Sequence, residues 1–459
     1  AEENPGNAAN LFRTFNRIDN NKDAGLDVSL PLLKNRAWLW ASYGYQDYKT
    51  STIYDTDNNT RQKHFAAKFN LQIVPSNRLE VFYAASDVER WGADASSENP
   101  TGVYRKSGSG LGNPILKVQD EQTFGRNMMV SLKYTYSDSG YEQAPMSDLD
   151  LNAVPFWDNA TGSWTGSTAA GVRVERPVTQ YSFMGEIFKD NGFLRGDHDI
   201  KFGAEYSERK QRIRSGMSGN MALYGNFQSS EALFDTDGDS IPDAAGGADT
   251  YYFLYRRGYT RNQRVRGLSA FLSDSAVFGR FNMTLGLRYD WQQPFSGAAS
   301  LSAVTTGAAW DAVADPSVRT ALDDLLPSLD ITDTYVYTYD LSADNALTAT
   351  GDKLAWTILS PRINIVWDLF GKGKSIARLS VARYGDYMGT DTADWADAAG
   401  ANAWAGFYWR DADSSGTIQL SELYWLTRRQ SSGNYVPYNV FDGEGNFIGN
   451  TADAAGYYW

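Results

Sequence analysis

From Asp411 to Glu422 the chain reads Asp-Ala-Asp-Ser-Ser-Gly-Thr-Ile-Gln-Leu-Ser-Glu. Asp411, Asp413 and Ser415 take positions 1, 3 and 5 of a twelve-residue loop, and Gly416 takes the sharp turn at position 6. Thr417 then offers its backbone carbonyl, Ile418 stands at the apolar position, and Glu422 brings two carboxylate oxygens at position 12. Calcium takes roughly six to eight hard oxygen ligands, and this spacing wraps them around one point. The plainer alternative is an acidic polar loop that never meets a metal.

The pattern is that of an EF-hand loop. The flanks Ala403–Arg410 and Leu423–Arg429 read as short helices, with no paired second hand in the sequence. A second calcium candidate runs from Phe234 to Asp243 and resembles a calcium repeat of thrombospondin type 3 modules. There Asp235, Asp237, Asp239 and Asp243 are expected as side-chain ligands, with Ile241 supplying a carbonyl. Asp55, Asp57 and Asn59 form a weaker echo, better read as a plain turn. Calcium is the one cofactor expected, in a structural role: a long loop costs chain entropy that a bound ion can offset.

Other chemistry is scarce. The chain has no Cys and two His, His64 and His198, which removes thiolate sites and nearly removes histidine triads. Gly373-Lys374-Ser375 looks like the end of a phosphate-binding loop, but Asp368 stands where the first glycine belongs, so a hairpin turn is expected. Loop carboxylates such as Asp148, Asp150, Asp158, Asp323 and Asp324 cannot be paired without a fold, and no catalytic site is supported. The 459 residues carry 42 Lys and Arg against 55 Asp and Glu, a net charge of −13, which argues against nucleic acid as a partner. Arg256, Arg257, Arg261, Arg264 and Arg266 near one strand end could recruit an anionic substrate or lipopolysaccharide phosphates. A solvated strand end beside the acidic stretch 235–249 is the favoured reading.

The elements that must carry these loops show up as alternation. In 281–290, Phe281, Met283, Leu285, Leu287 and Tyr289 oppose Asn282, Thr284, Gly286, Arg288 and Asp290. The same period of two runs through 65–73, 198–206 and 359–368. About ten residues per strand is the length that crosses a bilayer at a tilt. Tight turns are expected at Pro75-Ser76-Asn77, Phe124-Gly125-Arg126, Asp190-Asn191-Gly192, Phe278-Gly279-Arg280 and Gly371-Lys372-Gly373. Between them lie long polar stretches, about 49–61, 91–113, 138–173, 214–255, 294–351 and 389–459. Short and long connections in alternation are the layout of an all-β, antiparallel transmembrane β-barrel, here with about 12 strands, short periplasmic turns and long extracellular loops. Splitting 114–137 at Gly125 keeps every long loop on one side. Trp38, Trp40, Tyr43, Tyr45 and Tyr48, with Trp356 and Trp367, are read as aromatic girdles.

The segment Gly25–Trp40 resembles the early-barrel hairpin of TonB-dependent outer-membrane receptors of the Oar-like branch, although it lacks that hairpin's two glycines. Asn70-Leu71-Gln72 through Ser76-Asn77-Arg78-Leu79 is similar to the next hairpin, and Gly267 to Asp290 to a mid-barrel signature. Ser360-Pro361-Arg362, Asp368 to Lys374 and Tyr384-Gly385-Asp386-Tyr387 resemble the hairpin that follows. The resemblance covers most of 20–390 in the family's order. It implies a plugged barrel of roughly 22 strands, energised by the TonB complex through a segment not in this chain. With no TonB box or plug-like segment before residue 20, the chain reads as the first half of a barrel, cut inside an extracellular loop.

The organisation expected is 1–25 leading into the barrel, 26–388 as barrel strands with their loops, and 389–459 as an extracellular loop carrying the EF-hand-like motif. The function expected is nutrient import across the outer membrane with calcium-ordered loops, not catalysis. The alternative is a surface scaffold that binds a lipoprotein or another outer-membrane subunit, with little transport. A soluble calcium-dependent β-sandwich adhesin is the third reading, disfavoured by strand length and one-sided loops. Outer-membrane lipid and lipopolysaccharide are the expected surroundings in either barrel reading, and the substrate is not legible.

Overall fold

The computed structural model describes residues 17–51, 57–96, 98–99, 102–107, 112–145, 155–159, 161–165, 170–217, 221–225, 232–234, 244–245, 250–256, 259–296, 299–301, 315–318, 335–337, 355–391, 404–425 and 438–439. Twelve long strands form six hairpins. They are β1 (Arg17–Leu33) with β2 (Ala37–Ser51), β3 (Asp57–Val74) with β4 (Asn77–Ala93), and β5 (Ile115–Phe124) with β6 (Met128–Asp138). The others are β7 (Pro177–Lys189) with β8 (Asp197–Met217), β9 (Tyr259–Phe278) with β10 (Phe281–Ser296), and β11 (Trp356–Asp368) with β12 (Ile376–Ala382). Each strand pairs antiparallel with the next, giving one continuous ladder from β1 to β12. No ladder joins β1 to β12 among the described residues. No helix among them is long and apolar enough to cross a membrane.

The turns hold where expected. Gly125 (φ 62°) and Gly279 (φ 56°) take the left-handed backbone that reverses the chain, and Asn35 and Asn191 do the same with φ of 60° and 48°. The division at Gly125 separates β5 from β6. Strand ends differ from expectation in two places. β1 starts at Arg17 rather than near residue 26, and β2 and β3 extend to Ser51 and from Asp57, so the expected long stretch 49–61 shrinks to a five-residue connection, 52–56. Asp57 is the first residue of β3 and ion-pairs with Lys49, as a plain strand end would, while Asp55 lies outside the described residues.

Register sorts side chains into two faces of opposite character. Leu272, Leu287 and Pro361 lie opposite one another across β9, β10 and β11, and so do Asp274, Leu285 and Ile363. On this face Leu272 is 56%, Leu285 45%, Leu287 49% and Leu132 55% exposed, while the polar Ser131, Ser207, Ser269 and Gln292 on the other face are 5%, 1%, 1% and 1% exposed. Apolar outside and polar inside is the reverse of a protein surrounded by water. Such a surface is favourable only against an apolar medium, where its dehydration costs nothing.

The same register corrects the girdle expectation. Tyr43 pairs with Leu26 on the apolar face, but Trp38 and Trp40 pair with Pro31 and Ser29 on the polar one. Trp356 lies opposite Gln292, also on the polar face. The aromatic rows of the apolar face include Phe65 with Tyr83 (6.2 Å), Tyr134 with Tyr181 (5.2 Å), and Trp367 stacked on Phe281 (5.3 Å, 13°) at the short-turn end.

A second sheet of seven short strands forms from the long loops. Ser163–Thr165 pairs with Phe156–Asp158, which runs parallel to Met221–Gly225. That strand pairs with Thr250–Arg256, then Trp404–Arg410, Leu423–Trp425 and Tyr438–Asn439 follow in order. Three loops far apart in sequence are thereby hydrogen-bonded into one body.

Candidate functional site

The twelve-residue loop Asp411–Glu422 closes the hairpin between Trp404–Arg410 and Leu423–Trp425, so its flanks are strands and not the short helices expected. The run Trp404-Ala405-Gly406-Phe407-Tyr408-Trp409 is aromatic-rich, which suits a pleated surface better than a helix. Within the loop, oxygen atoms of Asp411, Asp413 and Glu422 all lie within 4.8 Å of one another. The amide of Gly416, at φ 70°, donates to Asp411 Oδ2 (3.0 Å), while Asp411 Oδ1 is enclosed with no hydrogen-bond partner. Ser415 Oγ donates to the Thr417 carbonyl at 3.2 Å, bringing the expected ligands of positions 5 and 7 together.

Glu422 is buried, 6% exposed, and both its oxygens are engaged: Trp409 Nε1 donates to Oε2 (2.9 Å) and the Ala412 amide to Oε1 (2.8 Å). Ile418 and Leu423 beside it are fully buried. The Ile418 carbonyl accepts from the Asp315 amide at 2.9 Å, so the position that pairs with a second hand in a twin loop here pairs with a segment of another long loop. The Ser415 hydroxyl and then Gln419 hold the Asp413 carboxyl below its ordinary value. Ser317 does the same for Asp315 through its side chain and its amide.

Sequence reasoning overlooked Gln419. At position 9 its Nε2 donates to Asp413 Oδ2 (2.7 Å) and Ser415 Oγ (3.3 Å), a neutral donor seated among carboxylates. Turning the amide over would present Oε1 to a cation instead. Its place in the twelve-residue count was the available signal. Trp409, which orients Glu422, carries no such signal. The second candidate set, Asp235, Asp237, Asp239, Ile241 and Asp243, lies outside the described residues.

The polar wall of the long sheet carries a second constellation. Glu80 on β4 is held by Lys68 Nζ of β3 (2.8 Å) and Lys117 Nζ of β5 (3.0 Å). Lys201 on β8 meets Glu186 on β7 at 2.8 Å. Arg288 on β10 grips Asp290 (2.9 Å) and donates to Ser269 Oγ on β9 (2.9 Å). Each group bridges neighbouring strands, so the wall is lined by compensated charge.

Residues 383–391 cross this wall after β12. Arg362 of β11 covers the Tyr384 ring (4.9 Å), and Arg209 of β8 covers the Tyr387 ring (4.3 Å). Between them Gln292 of β10 donates to the Asp386 carbonyl (3.1 Å) and accepts from the Met388 amide (2.7 Å). Thr390 reaches Gln211 of β8. A Cβ at Gly267 of β9 would stand 2.5 Å from the Tyr387 hydroxyl, so a side chain there would have to displace the Tyr387 ring from its seat. The segment is therefore a strap over the polar faces of four strands.

A family described as outer membrane beta barrel domain matches residues 31–415. No curated protein matches. Among solved structures, the siderophore receptor PiuA of Acinetobacter baumannii is 12% identical, with TM-score 0.42, covering 78% of this chain and 47% of its own. The closed form of the ferric-catecholate import receptor Fiu of E. coli K12 is 11% identical, TM-score 0.43, covering 92% and 60%. FpvA of P. aeruginosa, bound to a heterologous pyoverdine–iron complex, is 13% identical, TM-score 0.43, covering 86% and 51%. The chain thus spans about half the length of these structures.

Proposed function

The chain belongs to the outer membrane beta barrel domain family and lies in the outer membrane, and from that premise we propose that it is part of a TonB-dependent receptor importing a nutrient. The observation that carries the reading is the polar wall. Lys68–Glu80–Lys117, Glu186–Lys201 and Arg288–Asp290–Ser269 line one face with paired charges while the other face is apolar. A polar, charge-paired lining of this kind is what a solute path through a barrel requires. The ordered sequence resemblance to TonB-dependent receptors is what points to the TonB complex as the energy source. The work assigned to the chain is binding and passage, not catalysis.

Calcium belongs to this proposal. Asp411, Asp413, Ser415, the Thr417 carbonyl and Glu422 would hold it, with Gln419 as a further oxygen donor after its amide turns. The enclosed, unpartnered Asp411 Oδ1 fits a missing positive partner. The ion would fasten the hairpin to the seven-stranded loop sheet. One observation favours the alternative, a surface scaffold that docks a lipoprotein or another outer-membrane subunit: that sheet is a built platform of strands from three loops.

The test uses the native protein purified from outer membranes and the isolated periplasmic domain of TonB. Import predicts saturable binding between them, together with energy-dependent uptake in cells. Absence of TonB binding sinks the import reading and leaves the scaffold.

A further inference from the structure

A basic patch stands on the outer face of β8 and β9, above the apolar band. Outward positions of β9 run Ala276, Asp274, Leu272, Ala270 and Leu268, then change to Arg266 and Arg264. Phe278 at the short turn and Leu268 are ten strand positions apart. At roughly 3.4 Å per residue and a tilt of roughly 40°, that is a height of about 26 Å, the thickness of the apolar band of an outer-membrane barrel. Trp291 on β10 lies opposite Leu268, an aromatic marker at the same height. Arg266 and Arg264 therefore sit at the level of the outer-leaflet headgroups.

The register gathers more cations there. Lys210 of β8 is directly opposite Arg264, Arg212 opposite Asn262, and Arg214 opposite both Thr260 and Arg173. Two carboxylates answer part of this charge. Glu208 binds Lys210 (2.7 Å), Arg266 (3.2 Å) and, at 3.8 Å, Arg264, while Glu175, opposite Arg212, binds Arg173 (3.2 Å). The excess is positive on a chain whose net charge is −13. Arg264 and Arg266 lie over the Phe295 ring at 4.5 and 5.1 Å, and Phe295 is 3% exposed beneath them. Stacking fixes both guanidinium planes, with Arg266 Nε on Glu208 and Arg264 Nη1 3.8 Å from the same carboxylate, which leaves their remaining N–H groups for an acceptor. A cavity of about 240 Å³ opens among Glu175, Pro177, Lys210, Arg212, Arg264 and Phe295, and the enclosed Arg212 Nε has no hydrogen-bond partner.

We propose that this patch is a binding site for a phosphate group of a phosphorylated glycolipid of the outer leaflet, held by Lys210, Arg212 and Arg264. Planar, pre-set guanidinium groups match a phosphate, and arginine forks bind it bidentately. The acyl chains of the same lipid then lie along Leu268, Leu272 and Tyr206 below. The assignment rests on the membrane position of the barrel and not on transport.

The experiment measures binding of the native protein in detergent to phosphatidylcholine vesicles containing bisphosphorylated lipid A. Parallel arms use lipid A stripped of its phosphates, and inorganic phosphate alone as competitor. The variant Lys210→Gln/Arg212→Gln/Arg264→Gln is compared with Lys34→Gln/Arg36→Gln/Lys372→Gln, which removes equal charge at the short turns. Expected is at least a tenfold loss for the first variant only, no discrimination by that variant between the two lipids, and no displacement by millimolar inorganic phosphate. Equal native binding of both lipids, or equal loss in both variants, overturns the site. Displacement by inorganic phosphate makes it a free-anion site and overturns the lipid assignment. Should the triple variant fail to show the heat-dependent mobility of a folded barrel, Arg212→Gln alone, read by the slope of binding against salt, decides the matter.

Discussion

Gln292 is the residue on which the strap depends, and truncating it gives a number that can be checked. It is 1% exposed and makes two hydrogen bonds to the strap backbone, one to the Asp386 carbonyl and one from the Met388 amide. Each such bond is worth about 1 kcal/mol net, and more when the partner left behind cannot reach water. Gln292→Ala should therefore favour release of the strap by roughly 2 to 3 kcal/mol, or about 30- to 150-fold in the ratio of docked to released states. Gln292→Glu keeps the acceptor for Met388 but sets a carboxylate against the Asp386 carbonyl, so it should lose at least half as much. Hydrogen exchange at the Met388 amide, which loses its acceptor in Gln292→Ala, reads the loss of protection. Single-channel conductance of the native protein, with and without the substitution, reads whether the strap narrows the passage. A change in Met388 protection below about threefold, well under the range derived from the two bonds, refutes the reasoning. The cation–π contacts of Arg209 and Arg362 would then be the true fastening.

Three further outcomes are expected. Glu422→Gln sets an amide NH₂ against a donor, either Trp409 Nε1–H or the Ala412 amide, and should destabilise the hairpin by about 1–3 kcal/mol without metal. It should also abolish calcium-induced stabilisation, whereas the unaltered protein gains about 1.4 kcal/mol at tenfold excess over Kd; equal calcium shifts in thermal melts would disprove the ligand assignment. Asp413 has a folded value below the ordinary 3.8, so its contribution is present above 3.8 and is lost as pH falls through the lowered value. Proteolysis of the hairpin should thus be flat from neutral to mildly acidic pH and rise only under strong acid, and a transition near neutrality would contradict it. Tyr104, which donates to Glu89 at 3.1 Å, is pushed up to about 12 by burial first and by that carboxylate second. The fold favours its protonated form, so the associated stability is full below the ordinary value of 10.0 and lost as pH rises through about 12. Tyr104→Phe should remove one late-titrating phenolate from the absorbance curve, and loss of a step near 10 instead would refute this.

The barrel was legible because its information is local. Phe281 to Asp290 alternates, and alternation alone sorts a strand into two faces. It does not say which of two aromatic sets is apolar-facing when both occur on one strand. Trp38 and Tyr43 differ in parity, and only the pairing of Leu26 with Tyr43, past the irregularity between Pro31 and Leu33, tells them apart. The cluster of Asp411, Asp413 and Glu422 was legible for the same reason, since its residues fall within twelve positions. Its flanks were not, because the partner of Trp404–Arg410 is Thr250–Arg256, roughly 150 residues earlier, and pairing at that separation leaves no mark on either segment. The strap is hidden likewise: Asp386 and Met388 look like loop until Gln292 is beside them.

The way the Asp411–Glu422 hairpin is mounted bears on what an ion there could do. In a helix–loop–helix pair, binding changes the angle between two helices. Here Trp409 pairs with Leu423, Tyr408 with Tyr424 and Phe407 with Trp425, so the loop closes a ladder whose strands cannot swing apart without breaking backbone bonds. Glu422 is already held by Trp409 and by the Ala412 amide, and the Ile418 carbonyl by Asp315. The carboxylates are thus largely in place before any ion arrives, and the main local adjustment is the Gln419 amide. A preorganised site of this kind spends little binding energy on rearrangement. Its effect passes instead into the ladder, from Trp404–Arg410 to Thr250–Arg256 and Met221–Gly225. An ion at Asp411, Asp413 and Glu422 would therefore act as a fastener for strands contributed by separate loops, raising the cost of parting them, and not as a switch between two shapes.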